Sequence, residues 1–133
     1  QLIADGGTLT IGNQTLTAIA TPGHSPGGTS WRWQSCEKGK CVNIVYADSL
    51  SAVSADEYKF SEHPEYVAPL RATISKIGAL GKCDILITPH PSASNFFDRL
   101  ARKAALVDST ACSQYAAGAL TRLENRLAKE KAK

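Results

Sequence analysis

Two histidines and a pair of serines hold most of the chemistry open to this chain. His24 stands in Thr21-Pro22-Gly23-His24-Ser25-Pro26-Gly27-Gly28, where two prolines and three glycines surround one imidazole directly after an alternating, strand-like run. Proline fixes φ and removes a donor, while glycine permits positive φ and close backbone approach. A ring held in such a turn is aimed by the backbone, which suits a ligand whose nitrogen must sit roughly 2.0–2.1 Å from zinc. The same residues equally describe a Pro-Gly reversal with an incidental histidine. His90, in Pro89-His90-Pro91, is built alike: a short apolar run, then a ring between prolines. For each, a satisfied core histidine is the alternative. Asp48-Ser49-Leu50-Ser51 is a third polar cluster at a strand terminus, and His63, in Glu62-His63-Pro64, is expected to be simply exposed.

Four cysteines complete the inventory. Cys36 and Cys41 bracket a polar, hairpin-like tip that a small disulfide could staple. Cys83 precedes Ile85-Leu86-Ile87, and Cys112 lies in a helical pattern; joining them would close a loop contributing roughly 3–4 kcal/mol on the chain-entropy model. A four-cysteine zinc site is the competing arrangement, but no Cys-x-x-Cys pair supports it. Two disulfides point to an oxidising compartment such as the periplasm.

The elements that must position these groups follow from periodicity. Thr8-Leu9-Thr10-Ile11 alternates, turns at Gly12-Asn13 and resumes over 16–19, a β-hairpin. Residues 29–34 form another strand with Trp31 and Trp33 on one face, and 42–47 a further one rich in β-branched and aromatic residues. Residues 53–64 are polar and irregular. From about Glu65, Val67, Leu70, Ile74 and Ile77 give a helical stripe that frays at Gly78 and Gly81. Residues 84–88 make a short buried strand. The last third is helical, with Asp108 or Ser109 as cap and a buried stripe of Cys112, Ala116, Ala119, Leu120, Leu123 and Leu127. Strands first and helices covering them give an α/β layered unit, with both notable histidines at strand ends.

Composition sets the outer bounds. The 133 residues suffice for one modest domain, and 43% hydrophobic with 20% charged content argues against disorder. The formal charge is +3, and Arg126, Lys129, Lys131 and Lys133 crowd the last eight residues, a solvated helix end. No basic stripe interleaved with aromatics suggests nucleic acid, and no apolar run suggests a membrane span. The chain opens on Gln1 and lacks methionine, which reads as a processed product or a fragment.

Taken together, Thr-Pro-Gly-His-Ser-Pro-Gly-Gly-Thr-Ser-Trp, Tyr-Ala-Asp-Ser-Leu-Ser-Ala and Cys-Asp-Ile-Leu-Ile-Thr-Pro-His-Pro closely resemble the metallo-β-lactamases, more narrowly the third subclass of class B. The resemblance runs from about Ile3 to the C-terminus. It implies the second half of a four-layer αβ/βα sandwich, so that residues 1–133 are the C-terminal half of a metallo-β-lactamase domain. It also implies zinc-dependent hydrolysis of the amide of penicillins, cephalosporins and carbapenems. His24 would ligate the first of two zinc ions and His90 the second. Ser49 would help hold a water beside the second zinc, Ser51 would donate to the substrate carboxylate, and Asp48 would have a supporting role. The family pattern pairs Cys83 with Cys112, and some members carry the Cys36–Cys41 staple.

The departure from the family is length. Members are about twice as long, and their first half supplies His-x-His-x-Asp-His, which is absent here. Two histidines cannot close a catalytic zinc site, which normally takes three protein ligands. The partners implied are therefore a β-lactam and the missing N-terminal half; the 133 residues alone are expected to bind zinc weakly and to catalyse nothing. A thioesterase or lactonase of the same fold, and a non-catalytic half-domain, are the alternatives. A serine enzyme is disfavoured, because the one Ser-x-x-Lys match, Ser35 to Lys38, lies inside the cysteine-bracketed tip with neither companion motif.

Overall fold

A computed structural model describes residues 2–132. Strands β1 (Thr8–Ile11), β2 (Gln14–Ala20), β3 (Thr29–Glu37) and β4 (Lys40–Tyr46) form an antiparallel meander. Helix α1 (Pro64–Gly78) then carries the chain to β5 (Ile85–Ile87), which lies parallel to β4 at the sheet edge. A short helix α2 (Phe96–Leu100) and the long α3 (Ala111–Lys131) follow. The β3–β4 connection is a two-residue turn at Lys38 and Gly39, both with positive φ, a geometry matched to strand twist. Both strands therefore run further toward that tip than alternation alone indicates, and Cys36 pairs directly with Cys41.

One sheet face is packed. Val45, Ala47 and Leu86 meet Leu70, Ile74 and Ile77 of α1 and Cys112, Ala116 and Leu123 of α3 in a single buried cluster. Disulfides join Cys36 to Cys41 and Cys83 to Cys112, the second fastening the start of α3 to the approach to β5. The other face carries the cross-strand ladders Ala18–Trp31–Tyr46–Ile87 and Trp33–Ile44–Ile85. The two tryptophans do share it, and all of these residues except Ala18 remain half-exposed. No helix of the described residues is long and apolar enough to cross a membrane.

Three expectations need correction. Leu120 is 41% exposed, because it sits one residue round the helix from the stripe defined by Ala116, Ala119 and Leu123. The residue flanking α3 is Thr110, although the Asp108 carboxylate still accepts from the Thr110 backbone N–H (2.9 Å) and hydroxyl (2.6 Å). His63 is half-buried: its ring stacks on Tyr58 with centroids 4.6 Å apart, and Nδ1 lies 2.9 Å from Glu65.

Candidate metal and substrate site

Strand direction gathers the polar clusters. β2 and β4 are each antiparallel to β3, and β5 is parallel to β4, so β2, β4 and β5 all end at the same rim. His24 follows β2, the 48–51 segment follows β4, and His90 follows β5. Ligand sites on open α/β sheets favour this position, beyond the carboxyl ends of the strands.

The His24 turn is shaped by two glycines. Gly23 adopts φ 143° and presses on α1; a side chain there would meet Leu70 Cα at 2.6 Å. At Gly28 a methyl group would fall 2.3 Å from the Thr21 carbonyl oxygen and 2.9 Å from Asp48 Oδ2. Thr21 N–H donates to the Gly28 carbonyl at 2.8 Å, closing the loop. The Thr73 hydroxyl of α1 donates to the Pro22 carbonyl at 2.6 Å.

The serine segment is held as firmly. Asp48 N–H donates to Ser30 Oγ at 2.9 Å, and Asp48 Oδ1 accepts from Ser49 N–H at 2.8 Å. From α3, the Tyr115 hydroxyl accepts from Leu50 N–H and donates to the Asp48 carbonyl, each at 3.3 Å. Burial pushes the Tyr115 phenol up, so it stays protonated and able to donate. Ser49 Oγ and Ser51 Oγ are 2.7 Å apart.

His24 joins this pair. Its Nδ1 is 2.8 Å from the Ser51 carbonyl oxygen and 3.3 Å from Ser51 Oγ. A carbonyl oxygen can only accept, so Nδ1 carries the proton and Nε2 keeps its lone pair. That is the tautomer a histidine ligand needs, with its second nitrogen anchored to the backbone. Below β5, the Thr88 hydroxyl donates to the His90 carbonyl at 2.8 Å. Both imidazoles are exposed, and the His90 ring makes no hydrogen bond among the described residues. His90 lines one recess with Ser49 and Ser51, so Ser51 borders both rings and Ser49 is bonded to it. The donor chemistry fits a zinc ion, but no cluster of three or more His, Cys, Asp or Glu side chains among the described residues could hold one.

Solved structures with this architecture decide the family. MIM-1 from Novosphingobium pentaromativorans, a metallo-β-lactamase, superimposes with a TM-score of 0.91 at 49% identity, over 98% of this chain and 48% of its own. SMB-1, a metallo-β-lactamase solved with mercaptoacetic acid, gives 0.90 at 48% identity over 96% and 51%. MEM-A1, a subclass B3 enzyme from a soil metagenome library, gives 0.88 at 42% identity over 98% and 52%.

The chain belongs to the subclass B3 metallo-β-lactamases.

It spans about half the length of these relatives. No family model matches it. Its mixed sheet with helices on one face is half of the metallo-β-lactamase sandwich. Among residues bordering the metallo-β-lactamase rim, Tyr115 and Arg122 of α3 escaped the sequence reading. Tyr115 falls three residues after Cys112 and one before Ala116, so helical spacing alone could have placed it beside the buried stripe.

Proposed function

We propose that residues 1–133 are the C-terminal half of a zinc metallo-β-lactamase that hydrolyses the amide of penicillins, cephalosporins and carbapenems. In the whole protein His24 and His90 each contribute an imidazole to a two-zinc centre whose other ligands come from the missing half. The observation that carries this reading is the placement of Ser49 and Ser51 between the anchored His24 ring and the His90 recess. A zinc ion held there would lower the pKa of a water ligand to about 7, which would supply hydroxide at neutral pH.

This chain's residues then bind and orient. Between them the two serine hydroxyls have two hydrogens, and their mutual bond uses one. The other O–H is left to donate to an anionic oxygen, which suits the carboxylate of a β-lactam. Neither serine is a candidate nucleophile. Ser49 Oγ has a hydroxyl as partner, and Ser51 Oγ faces a His24 nitrogen that already carries a proton, so neither has a base. His24 keeps its ring angle through the Ser51 carbonyl, so a shift of the serine segment would also disturb the metal ligand. That SMB-1 binds mercaptoacetic acid, which combines one thiol with one carboxylate, accords with a metal beside an anion site.

The two disulfides support a periplasmic location, where such an enzyme would confer antibiotic resistance. The test is turnover of nitrocefin and a carbapenem by the full-length protein. Activity should vanish with chelator, return with zinc, and fall at least about 100-fold in His24→Ala. Chelator-insensitive turnover, or thioester hydrolysis outpacing β-lactam hydrolysis, would overturn the reading.

A further inference from the structure

The recess beside the serines has a volume of about 300 Å³ and is bordered by Ser49, Ser51, His90, Tyr115 and Arg122. Arg122 supplies its only permanent charge. The side chain folds back along α3 toward Tyr115, and a methyl group on Gly118 would lie 3.2 Å from Arg122 Nη1. Glycine at 118 thus leaves the space that the guanidinium occupies. A second recess, of about 260 Å³, shares Tyr115 and Arg122, so the guanidinium borders two neighbouring hollows.

Arg71, Arg99 and Arg126 each meet a carboxylate: Glu124, Asp108 and Glu130, respectively. Arg122 has neither an ion pair nor a hydrogen bond among the described residues. A planar fork of five donors without an anion, beside two hydroxyls with an O–H to give, is arranged to receive a carboxylate.

We propose that Arg122 is a specificity-determining residue that binds the substrate carboxylate together with Ser49 and Ser51, selecting anionic over neutral substrates. This rests on the β-lactamase reading above. A charge-assisted contact at a solvent-facing recess should weigh on affinity more than on the chemical step. Arg122 also touches neither the His24 turn nor the Tyr115 hydroxyl bonds, so its removal should spare the fold.

The experiment uses the zinc-loaded full-length protein with a cephalosporin bearing its free carboxylate and the methyl ester of the same compound. Arg122→Ala should raise KM for the acid roughly tenfold, with kcat changed less than about twofold. KM for the ester should not move, and Arg122→Lys should recover part of the loss. Calorimetric binding of hydrolysed benzylpenicillin, which needs no turnover, should weaken in parallel. Equal effects on acid and ester, or no effect on either, would overturn the role of Arg122 while leaving the hydrolase reading intact. Absence of zinc-dependent hydrolysis with Arg122-dependent calorimetric binding would do the reverse.

Discussion

Tyr115 links the long helix to the serine segment through a single oxygen, accepting from Leu50 N–H and donating to the Asp48 carbonyl. Leu50 is buried, so Tyr115→Phe strands a backbone donor away from water. The expected cost is about 1–3 kcal/mol by denaturant unfolding, with a rise in KM because the serines lose their frame. Asp84 offers a prediction in pH. Its carboxylate accepts from the Asn43 backbone N–H at 2.7 Å and the Asn43 amide at 2.8 Å, which hold its pKa below the usual range. A depressed folded pKa contributes stability that is present above the unfolded value, about 3.9, and lost as pH falls through the folded one. Asp84→Asn should therefore lower the melting temperature at neutral pH, with the gap from wild type closing below about pH 4; a constant gap would show that the carboxylate's charge plays no part. At this scale the candidates His24, Ser49, Ser51 and His90 were legible, as candidates only, because proline, glycine and small polar residues stand out against strand patterning. Arg122 was not, since a cation on an amphipathic helix looks like any other solvent-facing residue until the chain is folded onto the rim.

Among the elements, α3 carries the most weight, and its two neighbours Leu120 and Leu123 make a direct comparison. Leu123 is 2% exposed and Leu120 41%, although both are leucines three residues apart. Leu123→Ala should cost roughly 2–5 kcal/mol in unfolding free energy, whereas Leu120→Ala should stay within about 0.5 kcal/mol. The disulfides differ in the same spirit. Cys83 and Cys112 are 29 apart in sequence and tie α3 to the sheet, which corresponds to roughly 3–4 kcal/mol of loop entropy. Cys36 and Cys41 are only 5 apart and already opposed by the hairpin register, so Cys36→Ser should lower the melting temperature less than Cys83→Ser. Strands β1 to β4 and both long helices were legible from their periodicity, and β5 from a short apolar run that ends at Pro89-His90-Pro91. Helix α2 was not: it has five residues, no buried member, and begins after Asn95 in a left-handed conformation that no periodicity announces.

In the molecule as a whole, one sheet face is closed by α1 and α3 while the other leaves Leu9, Leu16, Trp31, Trp33, Ile44, Tyr46, Ile85 and Ile87 half-exposed. Such an apolar face suits contact with further protein, and the relatives are about twice as long. The isolated chain should bind a hydrophobic dye, and tryptophan emission should shift to the blue when the same residues are part of the full-length protein. Identical emission in both would show the face to be uncovered in each. Alternation revealed that Trp31 and Trp33 share a side, but not which side the helices would take, because Val45 and Leu86 on the packed face are no more apolar than Ile44 and Ile85 opposite. The Lys38-Gly39 turn stands at the far end of β3 and β4 from the histidines, exposed and bounded by a covalent cross-link. An epitope or fluorophore grafted there would sit on a clamped pedestal, a handle for immobilising the molecule with its working end facing outward.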